Sequence, residues 1–328
     1  MDEPEIPEKA NVSRFAAAIR GLVRLGMWLL LLAFLFSFFG QRFFIAELLA
    51  NFRTHFGVLL LVSLLVTRFA KASWLLFVCL FFATVFSVWE TGQLFLPAEQ
   101  PAAGETKVRL MSFNVLATSD DFDSAISEIR EHDPDVVAVL EYAGMWHFAF
   151  DELNDTYPHQ IRVPRWHGYG IALFSKLPLE NAESMQLTAN EIDNPALSAN
   201  VQVGGQQLRI FAVHVMSPIK KFRLELRNRQ FKEIATHINA QSTPTMLVGD
   251  MNCSTFSGFL SDLIEEANLR DSRQGFGVHP SWPSFVGPLA VPIDHVLVTE
   301  EIHVHNRFLG DAGASDHRPV IVDVSIAQ

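Results

Sequence analysis

Three strongly apolar segments near the amino terminus restrict the folds open to this chain more than any other feature. Leu25–Phe39 carries no charge and reaches the length of a membrane span when it is extended back to Leu22. Trp74–Trp89 is a second uncharged segment with a tryptophan at each end, as membrane interfaces favour. Backbone polar groups inside lipid must be satisfied within the segment, so such segments form helices. We therefore predict a transmembrane region over residues 21–90.

The third segment, Phe56–Thr67, is short and spans only if its ends near Thr54 and Phe69 take part. We count it as a span, which predicts about three helices. Positive charges then set the orientation, because Lys and Arg concentrate on the cytoplasmic side. The cations on that side would be Lys9, Arg14, Arg20, Arg24, Arg68 and Lys71. The amino terminus is therefore predicted to be cytoplasmic and the carboxy-terminal part extracytoplasmic, whereas two spans would leave both in the cytoplasm.

The rest of the chain has the composition of a soluble domain. We predict a disordered tail over residues 1–20, a linker with Pro and Gly over residues 91–106, and a globular domain over residues 107–328. From Pro101 onward there are 17 Lys and Arg against 29 Asp and Glu, a formal charge of −12. This excess argues against broad, sequence-independent binding of nucleic acid, which needs a basic face. A nuclease stays possible in principle, because a bound divalent metal changes the local field.

The soluble part is organised around Thr245–Asp250, an apolar strand that ends in the sequence Gly-Asp-Met-Asn. Gly249 permits a backbone conformation or a close approach that a side chain would obstruct. Asp250 and Asn252 are two residues apart, so along an extended chain both side chains point to the same side. A carboxylate and an amide placed there can hold a water molecule, a metal ion or a phosphate. The alternative is an ordinary turn, because Asp and Asn also bond their own backbone.

Other apolar runs also read as strands. The predicted strands are Val108–Asn114, Val136–Leu140, Ile171–Phe174, Leu208–His214, Thr245–Asp250, Ile293–Val298 and Pro319–Val324. Helices are predicted over residues 221–239 and after Ser119, which would cap the second of them. Because few helices interrupt many strands, we predict an α+β fold in which sheets pack on each other with helices outside.

Polar residues lie at or near the ends of most of these strands. They are Asn114, Glu141, His214, Asp250, Asn252, Asp294, Asp316 and His317. Each has a local explanation when taken alone, such as a turn residue or a hydrogen-bonded core histidine. A carboxylate that abuts a buried strand needs a partner, however. A single pocket of carboxylates, amides and two histidines explains the whole set at once.

Six short motifs resemble those of the endonuclease/exonuclease/phosphatase family, whose fold is DNase I-like. In the family's order they are Ser-Phe-Asn-Val (112–115), Asp-Val-Val-Ala-Val-Leu-Glu (135–141), Ala-Val-His (212–214), Val-Gly-Asp-Met-Asn (248–252), Pro-Ile-Asp-His-Val (292–296) and Ser-Asp-His-Arg-Pro (315–319). Each motif is weak alone, but the set covers essentially all of residues 107–328. The resemblance implies a four-layer αββα sandwich and divalent-metal-dependent cleavage of phosphoester bonds. The chain is similar to membrane-attached bacterial members, which implies a bacterial inner membrane.

The resemblance also implies which residues bind metal and phosphate. Glu141 would be the main Mg²⁺ ligand, with Asn114 close by and Asp316 as a further ligand. Mn²⁺ is the alternative ion, and no other cofactor is expected. Arg223 and Arg227 follow the His214 motif on the predicted helix and could bind substrate phosphates, although a solvated helix face is the simpler explanation for the basic residues there.

The same resemblance implies the catalytic groups. His317 would activate or orient the attacking water and would be held by Asp294. The nucleophile and a phosphate oxygen would be positioned by Asp250 and Asn252. His214 would stabilise the pentacovalent charge or assist the leaving oxygen. The assignment of base and acid among His317, Asp250 and His214 stays open.

These inferences lead to a membrane-anchored, Mg²⁺-dependent phosphodiesterase. Nucleic acid is the first substrate expected, because nucleases dominate the family, and a lipid or inositol phosphate headgroup is the alternative. A third possibility of another class is a catalytically silent membrane adaptor. The expected partners are the membrane and a phosphodiester substrate, and the sequence indicates no protein partner.

Overall fold

The computed structural model describes residues 7–188 and 192–327. Within that range the chain forms two compact units, Met1–Gly92 and Gln93–Gln328. The boundary falls where the apolar part of the sequence gives way to the acidic part. The described part of the first unit is helical, and the described strands belong to the second.

The amino-terminal unit is built from apolar helices. They are α1 (Pro7–Phe36), α2 (Phe44–Ala50), α3 (Arg53–Val66) and α4 (Trp74–Gly92). Two helical segments, Ser13–Phe39 and Trp74–Phe95, are long and apolar enough to cross a membrane. Helices α2 and α3 meet at a bend of 75° and would add a third span only if together they crossed as one. The middle span therefore stays a prediction.

Helix α1 begins earlier than the sequence analysis predicts. Its first turns are residues 7–20, so the prediction of a disordered tail is wrong for these residues. Residues 1–6 lie outside the described part of the chain. Pro7 suits the first helical position, where a missing backbone N–H costs nothing, and Ala16–Ala18 are strong helix formers. The helix of the span consequently continues into the polar segment before it.

A partly buried ion pair joins α3 to α4. Arg53 Nη1 at the start of α3 lies 2.8 Å from Glu90 Oε1 near the end of α4. The guanidinium also lies over the ring of Phe38, 3.8 Å from its centroid. Because the start of one helix meets the end of the other, α3 and α4 run antiparallel. Pairing matters here because an unpaired charge in apolar surroundings is costly.

The carboxy-terminal unit contains, among its described residues, two sheets of six strands each. The strands are β1 (Val108–Asn114), β2 (Val136–Leu140), β3 (His159–Val163), β4 (Ile171–Ser175), β5 (Glu180–Gln186), β6 (Pro195–Val203), β7 (Gln206–His214), β8 (Thr245–Asp250), β9 (Leu269–Asp271), β10 (Asp294–Thr299), β11 (Ile302–Leu309) and β12 (Val320–Ile326). The first sheet has the order β11-β12-β1-β2-β4-β3 and the second has the order β5-β6-β7-β8-β10-β9. All of the predicted strands are present.

Helices cover the outer faces of both sheets. They are α5 (Phe122–His132), α6 (Gly144–Ala149), α7 (Lys221–Asn239) and α8 (Gly258–Glu266). Alternate strand residues, such as Leu110 in β1 and Val248 in β8, meet in a core between the sheets. Helices α5 and α6 pack on the first sheet, and α7 and α8 pack on the second. The predicted four-layer αββα sandwich is confirmed.

Two parallel strand pairs carry polar groups to one edge of the sandwich. Strand β1 runs parallel to β2, and β7 runs parallel to β8. The carboxyl ends of each pair therefore lie together, which places Asn114 beside Glu141 and His214 beside Asp250. Strand β10 runs antiparallel to β8, and its first residue, Asp294, is opposite Asp250 in the register. Strand direction alone thus gathers residues that are far apart in sequence.

The predicted linker begins within the last turn of α4 and is hydrogen-bonded to the soluble unit near both ends of its remaining part. The carbonyl of Leu94 accepts from the backbone N–H groups of Gly275 and Gly277 at 2.9 and 3.0 Å. The N–H of Gly104 donates to the Ser325 hydroxyl at 2.9 Å. We name residues 93–106 the tether. Backbone groups near both ends of the tether therefore have hydrogen-bond partners in the rest of the soluble unit.

Candidate active site

The shortest contact between the side chains of predicted catalytic residues joins His317 and Asp294. Nδ1 of His317 lies 2.8 Å from Oδ2 of Asp294, and both side chains are buried. Burial alone would lower the pKa of the imidazole and raise the pKa of the carboxyl group. The attraction between the two outweighs burial, so the pKa of His317 rises to about 10 and that of Asp294 falls below its ordinary value. The pair is therefore an imidazolium–carboxylate ion pair.

Asp250 lies between two histidines. Its Oδ2 is 3.5 Å from Nε2 of His214 and 3.8 Å from Nε2 of His317. Its Oδ1 accepts from the backbone N–H of Asn252 at 2.7 Å. Burial and the nearby charge of Asp294 raise the pKa of Asp250 well above its ordinary value, and burial lowers the pKa of His214. Oδ2 of Asp250 therefore faces Nε2 of both imidazoles.

The turn after β8 explains the Gly-Asp-Met-Asn sequence. Gly249 has φ +139°, and a Cβ there would lie 1.8 Å from the carbonyl oxygen of Val213. Only glycine fits that approach between two parallel strands. Asn252 has φ +50°, and its Nδ2 donates to the carbonyl of Val215 at 3.0 Å. The amide of Asn252 thus ties the β8 turn to the end of β7 and holds Asp250 beside His214.

Arg227 supports this turn from behind. The side chain of Arg227 is fully buried, and its Nη1 lies 3.3 Å from the carbonyl oxygen of Asn252. The predicted contact of Arg227 with a substrate phosphate is contradicted, because the side chain has no exposed surface. Arg223, one helical turn earlier, is half-buried, and its charge acts on the hydroxyl of Tyr169. Its phosphate contact stays a prediction.

Glu141 is held by two donors just past the end of β2. Its Oε1 accepts from Nδ2 of Asn114 at 3.1 Å, and its Oε2 accepts from the backbone N–H of Ala117 at 2.9 Å. Its backbone has φ +57°, an uncommon conformation for a residue with a side chain, and such conformations concentrate at functional sites. The charge of Glu141 also acts on His214 and Asp250. The carboxylate is therefore fixed within electrostatic reach of the catalytic groups.

Asp316 is joined to the site by a residue that the sequence analysis could not place. Nε1 of Trp282 donates to Oδ2 of Asp316 at 2.9 Å, and the indole ring lies 6.3 Å from the ring of His317. The backbone N–H of Ser284 donates to the carbonyl of Asp316 at 2.8 Å. Oδ1 of Asp316 is buried and has no hydrogen-bond partner among the described residues.

Tyr169 is a site residue that the sequence analysis missed. Its ring lies 5.0 Å from the ring of His214, and its hydroxyl donates to Sδ of Met216 at 3.1 Å. The sequence feature that could have identified Tyr169 is its position between Gly168 and Gly170. A Cβ on Gly170 would lie 2.0 Å from the carbonyl oxygen of Tyr142, so that glycine is needed where the segment passes close to the backbone after Glu141.

The donors present fit a hard divalent cation. Carboxylate oxygens are the ligands that Mg²⁺ prefers, and a buried carboxylate oxygen without a partner, such as Oδ1 of Asp316, is the kind of atom that an ion would satisfy. Asp250, Asp294 and His317 also have ligand atoms within 4.8 Å of one another. The imidazole of that group is already paired through Nδ1 with Asp294. The metal roles of Glu141, Asn114 and Asp316 stay predictions.

The comparisons with known proteins agree with this geometry. A family model described as "Endonuclease/Exonuclease/phosphatase family" matches residues 111–317. No curated protein sequence matches the chain. The similar solved structures show the same fold at low sequence identity.

Three of these structures illustrate the likeness. An endonuclease/exonuclease/phosphatase from Beutenbergia cavernae is 20% identical with a TM-score of 0.56, over 68% of this chain and 72% of that one. D. rerio TDP2 complexed with a single-strand DNA product is 16% identical with a TM-score of 0.58, over 67% and 100%. A protein of the same description from Bacteroides vulgatus is 19% identical with a TM-score of 0.53, over 68% and 100%. The family match covers more than half of the chain, so this protein belongs to the endonuclease/exonuclease/phosphatase family.

Proposed function

We propose that this protein is a membrane-anchored, Mg²⁺-dependent phosphodiesterase. Its family membership makes it a metal-dependent hydrolase of phosphoester bonds. The observation that supports the proposal best is the array in which Asp294 holds His317 and Asp250 lies between His317 and His214. The apolar helices of the first unit support anchoring by their length and composition.

Each polar residue of the array has a task that follows from its contacts. Asp294 fixes the ring orientation and the proton of His317 Nδ1 through the 2.8 Å contact, which leaves Nε2 directed toward Asp250. A water molecule that attacks phosphorus must lose a proton, and Asp250, whose Oδ2 lies 3.5 and 3.8 Å from the two imidazoles, would relay it. His214, on the other side of Asp250, would pass a proton to the leaving oxygen.

Glu141 and Asp316 would hold the cation, and Asn114 would keep the Glu141 carboxylate in place. When bound, Mg²⁺ supplies positive charge that stabilises the phosphoryl transition state. The chain's own contribution is to fix these carboxylates in advance, since Glu141 is held by Asn114 and Ala117 and Asp316 by Trp282. Such preorganisation costs no rearrangement at the moment of reaction.

Nucleic acid is the first substrate class to test, as the family suggests, and TDP2 with a single-strand DNA product is among the similar structures. Phospholipid or inositol phosphate headgroups are the second class. The observation in favour of the second class is a set of exposed apolar side chains in segments that are near the site residues in sequence, such as Trp166 and Phe285. A catalytically silent adaptor is disfavoured because the polar residues of the site are mutually oriented.

We expect hydrolysis to require a divalent metal. The full chain, purified in detergent, should hydrolyse bis(p-nitrophenyl) phosphate with Mg²⁺ or Mn²⁺ and should lose that activity in EDTA, because the paired carboxylates alone would repel the phosphate. Single-stranded DNA, RNA, phospholipid and inositol phosphates should then be compared under the same conditions. Full activity in EDTA that is unaffected by added Mg²⁺ would contradict the metal requirement.

We also propose that the soluble unit lies outside the cytoplasm. A reporter fused after the last residue should give the extracytoplasmic signal in a bacterial host, such as alkaline phosphatase activity. The physical basis is the positive charge that flanks α1 and the segment before α4. A green fluorescent protein fusion serves as the matched control, since it fluoresces only in the cytoplasm. Fluorescence without phosphatase activity would overturn this orientation.

A further inference from the structure

The exposed large apolar side chains of the soluble unit are unevenly distributed. Apart from Phe95 and Leu96 in the tether, those in the described residues lie in four segments: 145–148, 166, 219–222 and 282–289. We call these four segments the apolar rim. Monomeric soluble domains rarely gather such residues in one region, and when they do the region marks a binding surface.

All four segments of the apolar rim adjoin the candidate active site. Segment 145–148 comes just after Glu141, and segment 219–222 comes five residues after His214. Trp166 is two residues from Gly168, where an added Cβ would lie 3.4 Å from Oε2 of Glu141. Segment 282–289 is bonded to Asp316 through Trp282 and Ser284. Each segment of the rim is thus either close in sequence to a residue of the site or bonded to one.

The opposite end of the sandwich is polar. Asp133 precedes β2, and residues 241–244 precede β8, so both lie at the amino ends of the strands whose carboxyl ends form the site. Asp133 is 74% exposed there and pairs with Lys176. Glu300 and Glu301 follow β10 at that end and are exposed. The exposed large apolar side chains outside the tether therefore belong to segments near the catalytic residues, whereas exposed charged residues lie at the opposite end.

The composition of the rim fits a lipid surface better than another partner. Phe285 is 80% exposed and Leu289 is 66% exposed, and the stretch from Ser281 to Ile293 contains no charged residue. Lys220 and Lys221 are exposed between two apolar side chains of the rim. Apolar side chains with adjacent lysines are the pattern of interfacial binding, in which the apolar groups enter the bilayer and the cations contact anionic headgroups.

The tether supports the same partner. It begins at Gln93, directly after the apolar helix α4, and Gly277 packs against the ring of Phe95. Three residues separate Gly277 from Ser281, so the two Cα atoms are four steps and at most about 14 Å apart. The Ser281 hydroxyl accepts from the backbone N–H of Asp294 at 3.3 Å. The point of attachment and the catalytic residues therefore belong to the same region of the unit.

We propose that the apolar rim docks on an anionic lipid bilayer and that the site hydrolyses a phosphoester carried by a membrane lipid. This rests on the proposed phosphodiesterase function and specifies its substrate class. The oxygen of water bonds to phosphorus as one P–O ester bond breaks. The proton that water loses is balanced by the one that the leaving oxygen gains. Bound in this way, a headgroup reaches the carboxylates and histidines while the acyl chains stay in the bilayer.

The test compares a rim variant, Phe285→Ser with Leu289→Ser, with a control variant, Glu300→Ser with Glu301→Ser. Both alter two exposed residues, at opposite ends of the unit. The full chain is assayed in detergent on bis(p-nitrophenyl) phosphate and on phosphatidylglycerol in mixed micelles. We expect the rim variant to keep its rate on the soluble diester and to lose about 10- to 100-fold on the lipid, because two apolar anchors are removed. The control should match the wild type on both.

Hydrogen exchange gives a readout that does not depend on activity. In nanodiscs of phosphatidylcholine and phosphatidylglycerol, residues 283–290 of the wild type should exchange more slowly than in detergent, and those of the rim variant should not. The docking proposal would be overturned if the rim variant matched the control variant both in its rate on the lipid and in the exchange of residues 283–290. So would activity on single-stranded DNA with none on lipid, because the rim would then serve to stack bases. No activity on the soluble diester together with normal protection would refute the phosphodiesterase function while leaving docking intact.

Discussion

Replacing His317 with glutamine is expected to lower kcat/KM on bis(p-nitrophenyl) phosphate by about 10²–10⁴-fold, the range of a positioned general acid or base. Glutamine keeps much of the volume and the polarity of the side chain. Unlike imidazole, it cannot accept a proton on one nitrogen and release a proton from another. The array would then keep Asp250 and His214 but lose the group that Asp294 orients. Initial rates with saturating Mg²⁺ check the expectation.

The single variant also leaves Asp294 buried without its cationic partner. Removal of one member of a buried ion pair typically costs about 3–5 kcal/mol, so some loss of stability is expected. The double variant His317→Gln with Asp294→Asn removes both charges and should recover thermal stability without recovering activity. Asp133→Asn serves as the matched surface control, since that carboxylate is exposed and pairs only with Lys176 in the described contacts. A His317→Gln enzyme with wild-type rate would exclude His317 from the chemistry.

The elements that carry the site could be predicted because their sequences are locally unambiguous. Val136–Leu140 and Thr245–Asp250 are continuous apolar runs, and both occur as strands with these bounds. Each run is followed or ended by a carboxylate, and the parallel pairing of β7 with β8 then brings His214 to Asp250. An apolar run that ends at a carboxylate predicts a buried strand, and it also predicts that the carboxylate has a polar or charged partner.

The contacts across the site could not be predicted in the same way. Trp282 and Asp316 are separated by 34 residues, and only the folded loop brings the indole N–H to that carboxylate. Arg227 lies on a helix whose basic residues suggest a solvated face, yet its guanidinium is buried against the β8 turn. Periodicity marks apolar positions as buried, and it gives no sign when a buried position holds an arginine.

The cap of α5 shows a smaller error of the same kind. Ser119 was the expected cap, but the side chain of Asp121 accepts from the backbone N–H of Ser124 at 3.1 Å. Ser119 instead accepts from the N–H of Asp121 at 3.3 Å, within the loop before the helix. Both residue types cap helices well, so composition cannot choose between two candidates that lie two residues apart.

Substitution of Glu141 is the most direct way to distinguish an enzyme from a catalytically silent adaptor. Both oxygens of Glu141 accept hydrogen bonds, from Asn114 Nδ2 and from the backbone N–H of Ala117. A glutamine there has one acceptor oxygen, so its NH₂ group would face one of these two donors, and the negative charge would be lost. The site would then lack both the main predicted ligand and the geometry that holds it.

We therefore expect Glu141→Gln to lower the rate by about 10²–10³-fold and to raise the Mg²⁺ concentration for half-maximal activity by at least about tenfold. A titration of rate against Mg²⁺ measures both effects. Glu152→Gln is the matched control, because Glu152 is 59% exposed and its contact with Arg130 is a surface ion pair. If Glu141→Gln leaves the metal requirement unchanged, the result would indicate that the cation binds instead to Asp250, Asp294 and His317. The ligand atoms of that group are also close enough to share one ion. Unchanged activity together with an unchanged membrane phenotype would favour the adaptor, since an adaptor has no use for a charged ligand at the end of β2.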